Sequence, residues 1–445
     1  MLQQILDLHI HSKYSRACSK SLELPEIARA CAERGVDIVA TGDFTHPKWF
    51  EHIKNTLEGA EGIGIYQLKS EILNSKFETN SKLKTQNSKI RFVLGTELSC
   101  IKKHKEQTRR IHVCVFAPNI EVAEKFNNKL ESMGFNLRSD GRPILGLTVK
   151  ELLQIMLEID ERMIMIPAHA WTPWFGIFGS KGGYNNLEEA FEELTPNIFA
   201  IETGLSSDPL MNWRLSKLDK IALVSNSDAH SLEKIGREAN VLQFANEKEI
   251  TYENIFKIIK DSTNLATSLR ASKFLYTIEF YPEEGKYHYD GHRDCKFVCA
   301  PEETKRLKNI CPICKKELVI GVMNRVAELA DRSEAEAKQL TRIPFKSLVP
   351  LPEIIADAYN CGVNTKRVKE IYNNLISKFG NEFNILLIIN VSEVTKASES
   401  VIGQAIERVR NGKIYVKPGY DGEFGVVKVF SNEERVGMKQ SGFDI

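Results

Sequence analysis

The chain has 445 residues, 42% of them apolar, enough to fill more than one hydrophobic core; this excludes a peptide-like or intrinsically disordered protein. Sixty Lys and Arg against 59 Asp and Glu leave a formal charge of +1, so any nucleic-acid surface has to come from local patches. No run reaches the ~18 to 20 apolar residues of a membrane span. Nine cysteines, with no apolar stretch after Met1, point to reduced thiols or metal ligands in a cytoplasmic protein.

In chain order, short apolar runs lie at 3–11, 36–43, 90–97, 110–116, 162–170, 198–203 and 221–230, each carrying a polar residue able to hold a metal, in most of them at or near its end. Helical patterns fill the gaps. LPEIARACAERG has Pro25 near its start and Gly35 after its end, while VAEKFNNKLESMG and VKELLQIMLEID repeat apolar residues at i, i+3 and i+4. Strands alternating with helices argue for an α/β protein with a parallel sheet, and ligand-type residues at strand ends favour a distorted barrel with its site at that face. The expected barrel covers 1–272. SEILNSKFETNSKLKTQNSK at 70–89 is polar and without period and reads as an inserted surface loop.

From 273 to 325 the chain turns rich in Cys and His, with little room for an apolar core, and a small metal-held module fits. Helical patterns resume in LPEIIADAYNCG, TKRVKEIYNNLISKFG and VIGQAIERVRNG. A Gly/Asp turn in YVKPGYDGEFGVVKVF predicts a terminal hairpin, so 326–430 reads as a mainly helical region and 431–445 as a loose tail.

The sharpest signal is the set His9, His11, Asp43, Glu97, His112, His169, Asp228 and His230. Two residues separated by one in a strand face the same side, so His9-x-His11 and Asp228-x-His230 can each present both side chains to one ion. Imidazole with carboxylate suits Zn²⁺, Mn²⁺ or Fe²⁺, and so many such residues together point to a site holding more than one ion. In the second module Cys311-Pro-Ile-Cys314 is half of a tetrahedral zinc site. The other half is His292 with Cys295, or Cys295 with Cys299; the first pairing is favoured, giving one structural zinc on His292, Cys295, Cys311 and Cys314.

DLHIHSKYSRA, the GTE at 95–97, PAH at 167–169 and SDAH at 227–230 resemble the motifs of the PHP (polymerase and histidinol phosphatase) phosphoesterases. FTHPKWFEHIK, RSDGRPILGLT, IPAHAWTPWFGIFGSKGGY, IETGLSSDPLMNWRLS and VSNSDAHSLEKIGREANV resemble, within that superfamily, the endonuclease Q family of lesion-specific DNA endonucleases. The resemblance implies a metal-dependent DNA repair enzyme with two to three divalent ions (Zn, Mn or Mg) in the barrel. It would hydrolyse the phosphodiester 5′ of deoxyuridine, hypoxanthine, xanthine or an abasic site. It also implies that His9, His11, Glu97, His112, His169, Asp228 and His230 occupy ligand positions, with Glu97 bridging two ions. The chain departs from the PHP pattern at Ala17, where many members carry His or Asp, and at Gly42-Asp43-Phe44, where many read Thr-Asp-His; Asp43 or His46 are the substitutes at hand.

Several further residues are read as DNA contacts. Arg16 is a phosphate clamp beside the vacated position, and KKHKEQTRR at 102–110 is a run able to track a backbone. Trp171 and Trp174, in the aromatic loop that follows His169, are placed to meet a base taken out of the stack. PLPEIIADAYNCGVNTKRVKEIYNNL is similar to a helix-hairpin-helix, with Lys366 and Arg367 as its cations, although Gly362-Val363-Asn364 departs from the usual Gly-apolar-Gly turn. The expected partner is DNA containing damaged bases. A sliding clamp would suit such an enzyme but has no motif here. There is no phosphate loop for ATP. The alternatives are a small-molecule phosphoesterase of histidinol-phosphate phosphatase type, and a DNA-binding protein with a disabled barrel.

Overall fold

The structure, a computed structural model, describes residues 1–60, 62–77, 87–264, 269–431 and 433–435. It divides into two compact units. The first takes 1–32, 36–278 and 324–345; the second takes 33–35, 279–323 and the chain from 346 on.

In the first unit the strand Leu2–Asp7 pairs in parallel with Ile38–Ala40, which pairs in parallel with Arg91–His104. On its other side Leu2–Asp7 runs antiparallel to Ala239–Phe244. Ala200–Glu202 and Ala222–Val224 form a separate parallel pair. Leu6, Val93, Phe116, Ile166, Val224 and Leu242, each from a different strand, join one buried cluster. Strands arranged round a shared apolar interior are the barrel-like arrangement that the alternating pattern predicts.

The parallel expectation fails in one place that matters. The runs at 90–97 and 110–116 are not successive parallel strands: Arg91–His104 and Gln107–Ala117 are two arms of one long antiparallel hairpin, paired from Leu94↔Ala117 to His104↔Gln107. Its turn is Lys105-Glu106, both at positive φ (49° and 67°), the two-residue turn whose twist matches the strands. The basic run at 102–110 is therefore the hairpin tip, and several of its charges are engaged within the protein. Lys102 pairs with Glu151 at 2.6 Å, and the Arg109 guanidinium lies 4.2 Å from the Tyr184 ring centroid and bonds the Gly183 carbonyl. Ser70–Phe77 is a helix, which corrects the loop expected at 70–89; residues 78–86 of that stretch lie outside the described residues.

The floor of the barrel is a polar network inside the apolar cluster. Asn240 Nδ2 donates to the Ser225 carbonyl (2.7 Å) and to Asn226 Oδ1 (2.9 Å), Asn240 Oδ1 accepts from Ser225 N, and Asn226 Oδ1 also accepts from Leu8 N. Satisfied buried amides of this kind fix which residues face each other, because a register slip would strand them without partners.

The second unit holds the antiparallel pair Asp290–His292 and Phe297–Cys299, then the helices Leu351–Ala358, Lys366–Phe379, Val391–Ala397 and Ser400–Arg410. The terminal hairpin is present as Tyr415–Lys417 against Val426–Lys428. The segment 324–345 belongs to the first unit. The cause is visible at Arg325 and Arg332. Arg325 bonds the carbonyls of Phe178 and Tyr184, and Arg332 grips Asp219 through both guanidinium nitrogens at 2.7 and 2.6 Å. Most of the tail, 432 and 436–445, lies outside the described residues. No described helix is long and apolar enough to cross a membrane.

Asn240→Ala should lower stability by about 3 kcal/mol, since it leaves several buried groups unpaired. The urea midpoint should fall with the slope unchanged. An unaltered midpoint would show that the floor network does not set the register.

Candidate metal centre

Two donor clusters meet on one carboxylate. His112 Nδ1 and His169 Nε2 lie 2.8 and 3.0 Å from Glu97 Oε1 and 3.3 Å from each other. On the other oxygen, His11 Nε2 is 3.2 Å and His9 Nε2 3.6 Å from Glu97 Oε2, and Asp228 Oδ1 is 3.1 Å from His11 Nε2 and 3.6 Å from His9 Nε2. Within each cluster the ligand-type atoms all lie within 4.8 Å of one another.

Donors that share one tetrahedral ion at ~2.1 Å stand about 3.4 Å apart, so these spacings are those of ligand sets. A second observation agrees. His9 Nε2 is buried with no hydrogen-bond partner, a costly condition for an imidazole unless an acceptor of its lone pair is supplied. The residues present therefore fit divalent ions, with Glu97 offering one oxygen to each cluster.

The sequence produces this arrangement through strand geometry. Leu2–Asp7 leads into His9 and His11, which sit two residues apart and turn to the same side. Glu97 and His112 project from the two arms of the long hairpin. His169 and Asp228 follow the ends of Ile164–Pro167 and Ala222–Val224. Three site residues carry left-handed backbone: Asp43 (φ 45°), His169 (φ 31°) and Asp228 (φ 47°). Such conformations cost of order 1–3 kcal/mol each and persist where surrounding contacts enforce them. Asp7 is one enforcer. Its carboxylate accepts from Ser227 N (3.0 Å) and Gly236 N (2.8 Å), holding the loop that carries Asp228, and burial pushes its carboxyl up to about 6.

The electrostatics suit cation binding. Burial would push the Glu97 carboxyl up, yet the Arg142 guanidinium 2.9 Å away and the positive charge of His9 hold it well below the usual carboxylate range. Burial pulls His112 down to about 4, which leaves its ring neutral and its lone pair available at neutral pH.

Not every residue singled out from sequence joins the donor set. Asp43 is corrected: Oδ1 is 3.1 Å from His11 Nδ1, and Oδ2 accepts from Ser12 N (2.7 Å), Ser12 Oγ (2.7 Å) and Ser15 Oγ (2.9 Å). With both oxygens engaged, Asp43 fixes the His11 ring from behind. His46 stacks on Tyr14, with ring centroids 4.3 Å apart, away from the donors. His230 stands beside the site, its ring 4.5 Å from that of His11 and its Nδ1 on the Asp228 carbonyl at 2.9 Å.

Two contacts were not read from the sequence. Arg142 Nη1 donates to Glu97 Oε2 at 2.9 Å from a side chain 24% exposed, so a cation stands at the mouth of the cluster. Its loop is locked in place, since Asp140 Oδ1 accepts from both Arg16 N and Arg142 N and Gly141 N donates to the Tyr14 carbonyl. A Cβ on Gly141 would lie 2.3 Å from Asp43 Oδ2. Arg16 itself is 83% exposed and leans on Asp140 at 3.5 Å, so the cation next to the donors is Arg142 and not Arg16. The second is Glu202, buried beneath His9, whose carboxylate lies 3.0 to 3.1 Å from His9 Nδ1. The Asp-Gly turn before Arg142 and the carboxylate next to the end of the run IFAIET were the available signals.

The aromatic loop divides. Trp171 is buried, with Nε1 donating to Asn212 Oδ1 at 2.7 Å and its ring packed on Phe178; it is a core residue, which corrects its reading as a base contact. Trp174 is 42% exposed. Phe175 stacks on His112 at 4.2 Å and its carbonyl accepts from His112 N, so the loop also braces a donor.

In the second unit His292, Cys295, Cys311 and Cys314 converge, their ligand atoms within 4.8 Å of one another, with Cys314 Sγ 3.7 Å from His292 Nδ1. Thiolates 2.3 Å from a tetrahedral zinc stand ~3.8 Å apart, so this set fits. Cys299 faces elsewhere: its Sγ is 3.2 Å from Thr304 Oγ1, which donates to Asp290. Among the helices, Lys366 is exposed and pairs loosely with Glu370, whereas Arg367 lies 3.6 Å from the Tyr359 ring centroid and 3.5 Å from Glu399.

Comparison with known proteins follows the same division. Residues 350–413 match the family model described as the MJ0043 C-terminal domain. The chain is 31% identical over 263 residues to the uncharacterized protein MJ0043 of Methanocaldococcus jannaschii, which covers 58% of this chain and 31% of that protein; the chain thus spans about a third of that relative's length. Among solved structures it is similar to the lesion-specific endonuclease PfuEndoQ from Pyrococcus furiosus, with a TM-score of 0.80 and 28% identity over 98% of this chain and 99% of that one. It is also similar to endonuclease Q in complex with a 27-mer duplex substrate carrying an abasic lesion at the active site, with a TM-score of 0.79 and 29% identity over 97% and 98% of the two chains.

Cysteine-to-alanine variants, with zinc measured by elemental analysis, test the second unit. Cys311→Ala should lose one equivalent and Cys299→Ala should keep it; the reverse would make Cys299 the ligand.

Proposed function

From membership of the endonuclease Q family, which a fold shared over nearly the whole chain shows, we propose that this protein is a metal-dependent DNA repair endonuclease. It cuts the phosphodiester 5′ of a deaminated base (deoxyuridine, hypoxanthine or xanthine) or an abasic site. The observation that carries the reading is Glu97, one carboxylate facing two donor clusters. Bound there, a pair of divalent cations supplies a water of lowered pKa and neutralises charge on the phosphoryl oxygens.

The chain's own residues do the rest. Arg142, a quarter exposed beside Glu97, presents fixed positive charge where a phosphoryl oxygen gains negative charge, and the Asp140 and Gly141 contacts keep it from swinging away. Asp43 and Glu202 each hold the Nδ1 of a histidine and thereby aim its Nε2 at the donor cluster. Trp174 offers an exposed indole on the loop that follows His169, the type of surface on which a displaced base stacks. Lys366, exposed at the start of its helix, supplies backbone charge in the second unit. Arg367, stacked on Tyr359, has a smaller share in that contact.

The reading is tested by incubating end-labelled duplexes carrying one deoxyuridine, hypoxanthine or abasic site with Mg²⁺, Mn²⁺ or Zn²⁺. A single cut 5′ of the lesion, absent in Asp228→Ala, is expected; turnover of a phosphomonoester with no DNA cut would replace it with a small-molecule phosphoesterase. Arg142→Ala should lower kcat by about 10²- to 10³-fold with metal content intact, and Arg142→Lys should recover part of it. An unchanged kcat would remove Arg142 from the chemistry. Trp174→Ala should weaken binding to lesion DNA several-fold more than to undamaged DNA, read by fluorescence anisotropy without divalent metal.

A further inference from the structure

Glu202 is fully buried in the short strand Ala200–Glu202, and its contacts reach both donor clusters. Its two oxygens lie 3.1 and 3.0 Å from His9 Nδ1. Oε2 also accepts from the backbone N–H of His169 at 2.7 Å, and Oε1 accepts from Asn226 Nδ2 at 2.9 Å. The Glu202 carbonyl accepts from Ala170 N at 2.9 Å, so side chain and backbone of one residue clamp two consecutive residues of the His169 loop.

Those contacts fall on the strained point of the site. His169 holds φ at 31°, and Gly204, two residues after Glu202, closes against it so tightly that a Cβ there would lie 2.6 Å from the His169 Cβ. His9 contributes to the cluster with His11 and Asp228, and His169 to the cluster with His112. Glu97 is shared between the clusters on the donor side, and Glu202 joins the same two from below.

We propose that Glu202 is a positioning residue that couples the two metal subsites: it fixes His9 with its proton on Nδ1 and its lone pair on Nε2, and it holds the His169 backbone in its left-handed conformation. The inference rests on the metal centre of the reading above and not on the identity of the DNA lesion. A carboxylate behind a ligating imidazole sets ring orientation and tautomer, and loss of such a partner weakens metal binding by 10- to 100-fold. Because Glu202 serves both clusters, its loss should weaken both, whereas a residue tied to one cluster would weaken one.

The test is a Mn²⁺ titration of metal-stripped full-length protein, with free Mn²⁺ followed by electron paramagnetic resonance. Glu202→Gln should bind the same number of ions as the unaltered protein, each about 10- to 100-fold more weakly, with cleavage recovered at high Mn²⁺. One ion fewer at every concentration would make Glu202 a direct ligand, with His9 and Cys114 its neighbours, and would overturn the proposal. So would unchanged affinities alongside a lowered unfolding midpoint, the mark of a packing role alone. If Glu202→Gln does not fold, Glu202→Asp carries the same test, since it keeps the charge and loses the reach to His169 N. Protein that binds Mn²⁺ but cuts no DNA would sink the nuclease reading and leave this inference standing.

Discussion

The first unit is organised around one buried charge. Glu97 is 1% exposed, and a carboxylate taken that far from water has to be compensated on every side. Nitrogen atoms of His11, His112, His169 and Arg142 lie within 3.2 Å of its oxygens. Each of these groups is held in turn. Asp43 and Glu202 stand behind His11 and His9, Phe175 lies against His112, and Asp140 and Gly141 lock the loop that brings in Arg142. The strained backbone at Asp43, His169 and Asp228 belongs to the same arrangement, since strand ends alone would not aim these side chains at one point.

Much of this was legible in the sequence, and the reason is periodicity. His9-x-His11 on a strand has one face to point to, and Glu97, His112, His169 and Asp228 lie in or just after apolar runs that have to be strands. What escaped the sequence were contacts made across the barrel. Asp43 has the chemistry of a ligand, and only the positions of Ser12 and Ser15 show that both its oxygens are engaged. Trp171 and Trp174 are three residues apart in a Gly- and Pro-rich loop, yet one is core and the other exposed, because Asn212 reaches one indole from a distant helix. The sequence singles out Arg16 because it adjoins the vacated ligand position, and Arg142 comes into view only because the loop at 138–143 folds onto the loop at 12–16.

The long hairpin was the larger misreading of local structure. GTE at 95–97 reads as a strand end because the apolar run stops there, but pairing continues to His104 since Gln107–Ala117 lies alongside. In the second unit, by contrast, Cys311 and Cys314 at fixed spacing located the site outright. The fourth ligand needed the structure, which turns Cys299 toward Thr304 and His292 toward Cys314.

The hairpin also gives the two clusters different histories within the folding chain. Glu97 and His112 sit on the two arms of one local element, closed by a two-residue turn, and can come together as soon as that element forms. His11 and Asp228 are 217 residues apart, and Leu8 and Asn226 beneath them are 218 apart, so their meeting closes most of the first unit's chain. The cluster that depends on Asp228 is thus completed only when the barrel is, whereas two of the three donors of the other are built into a single ribbon. A chain released unfinished would carry the bridging carboxylate and one histidine in place while lacking the partners that give them a pair of ions to bridge.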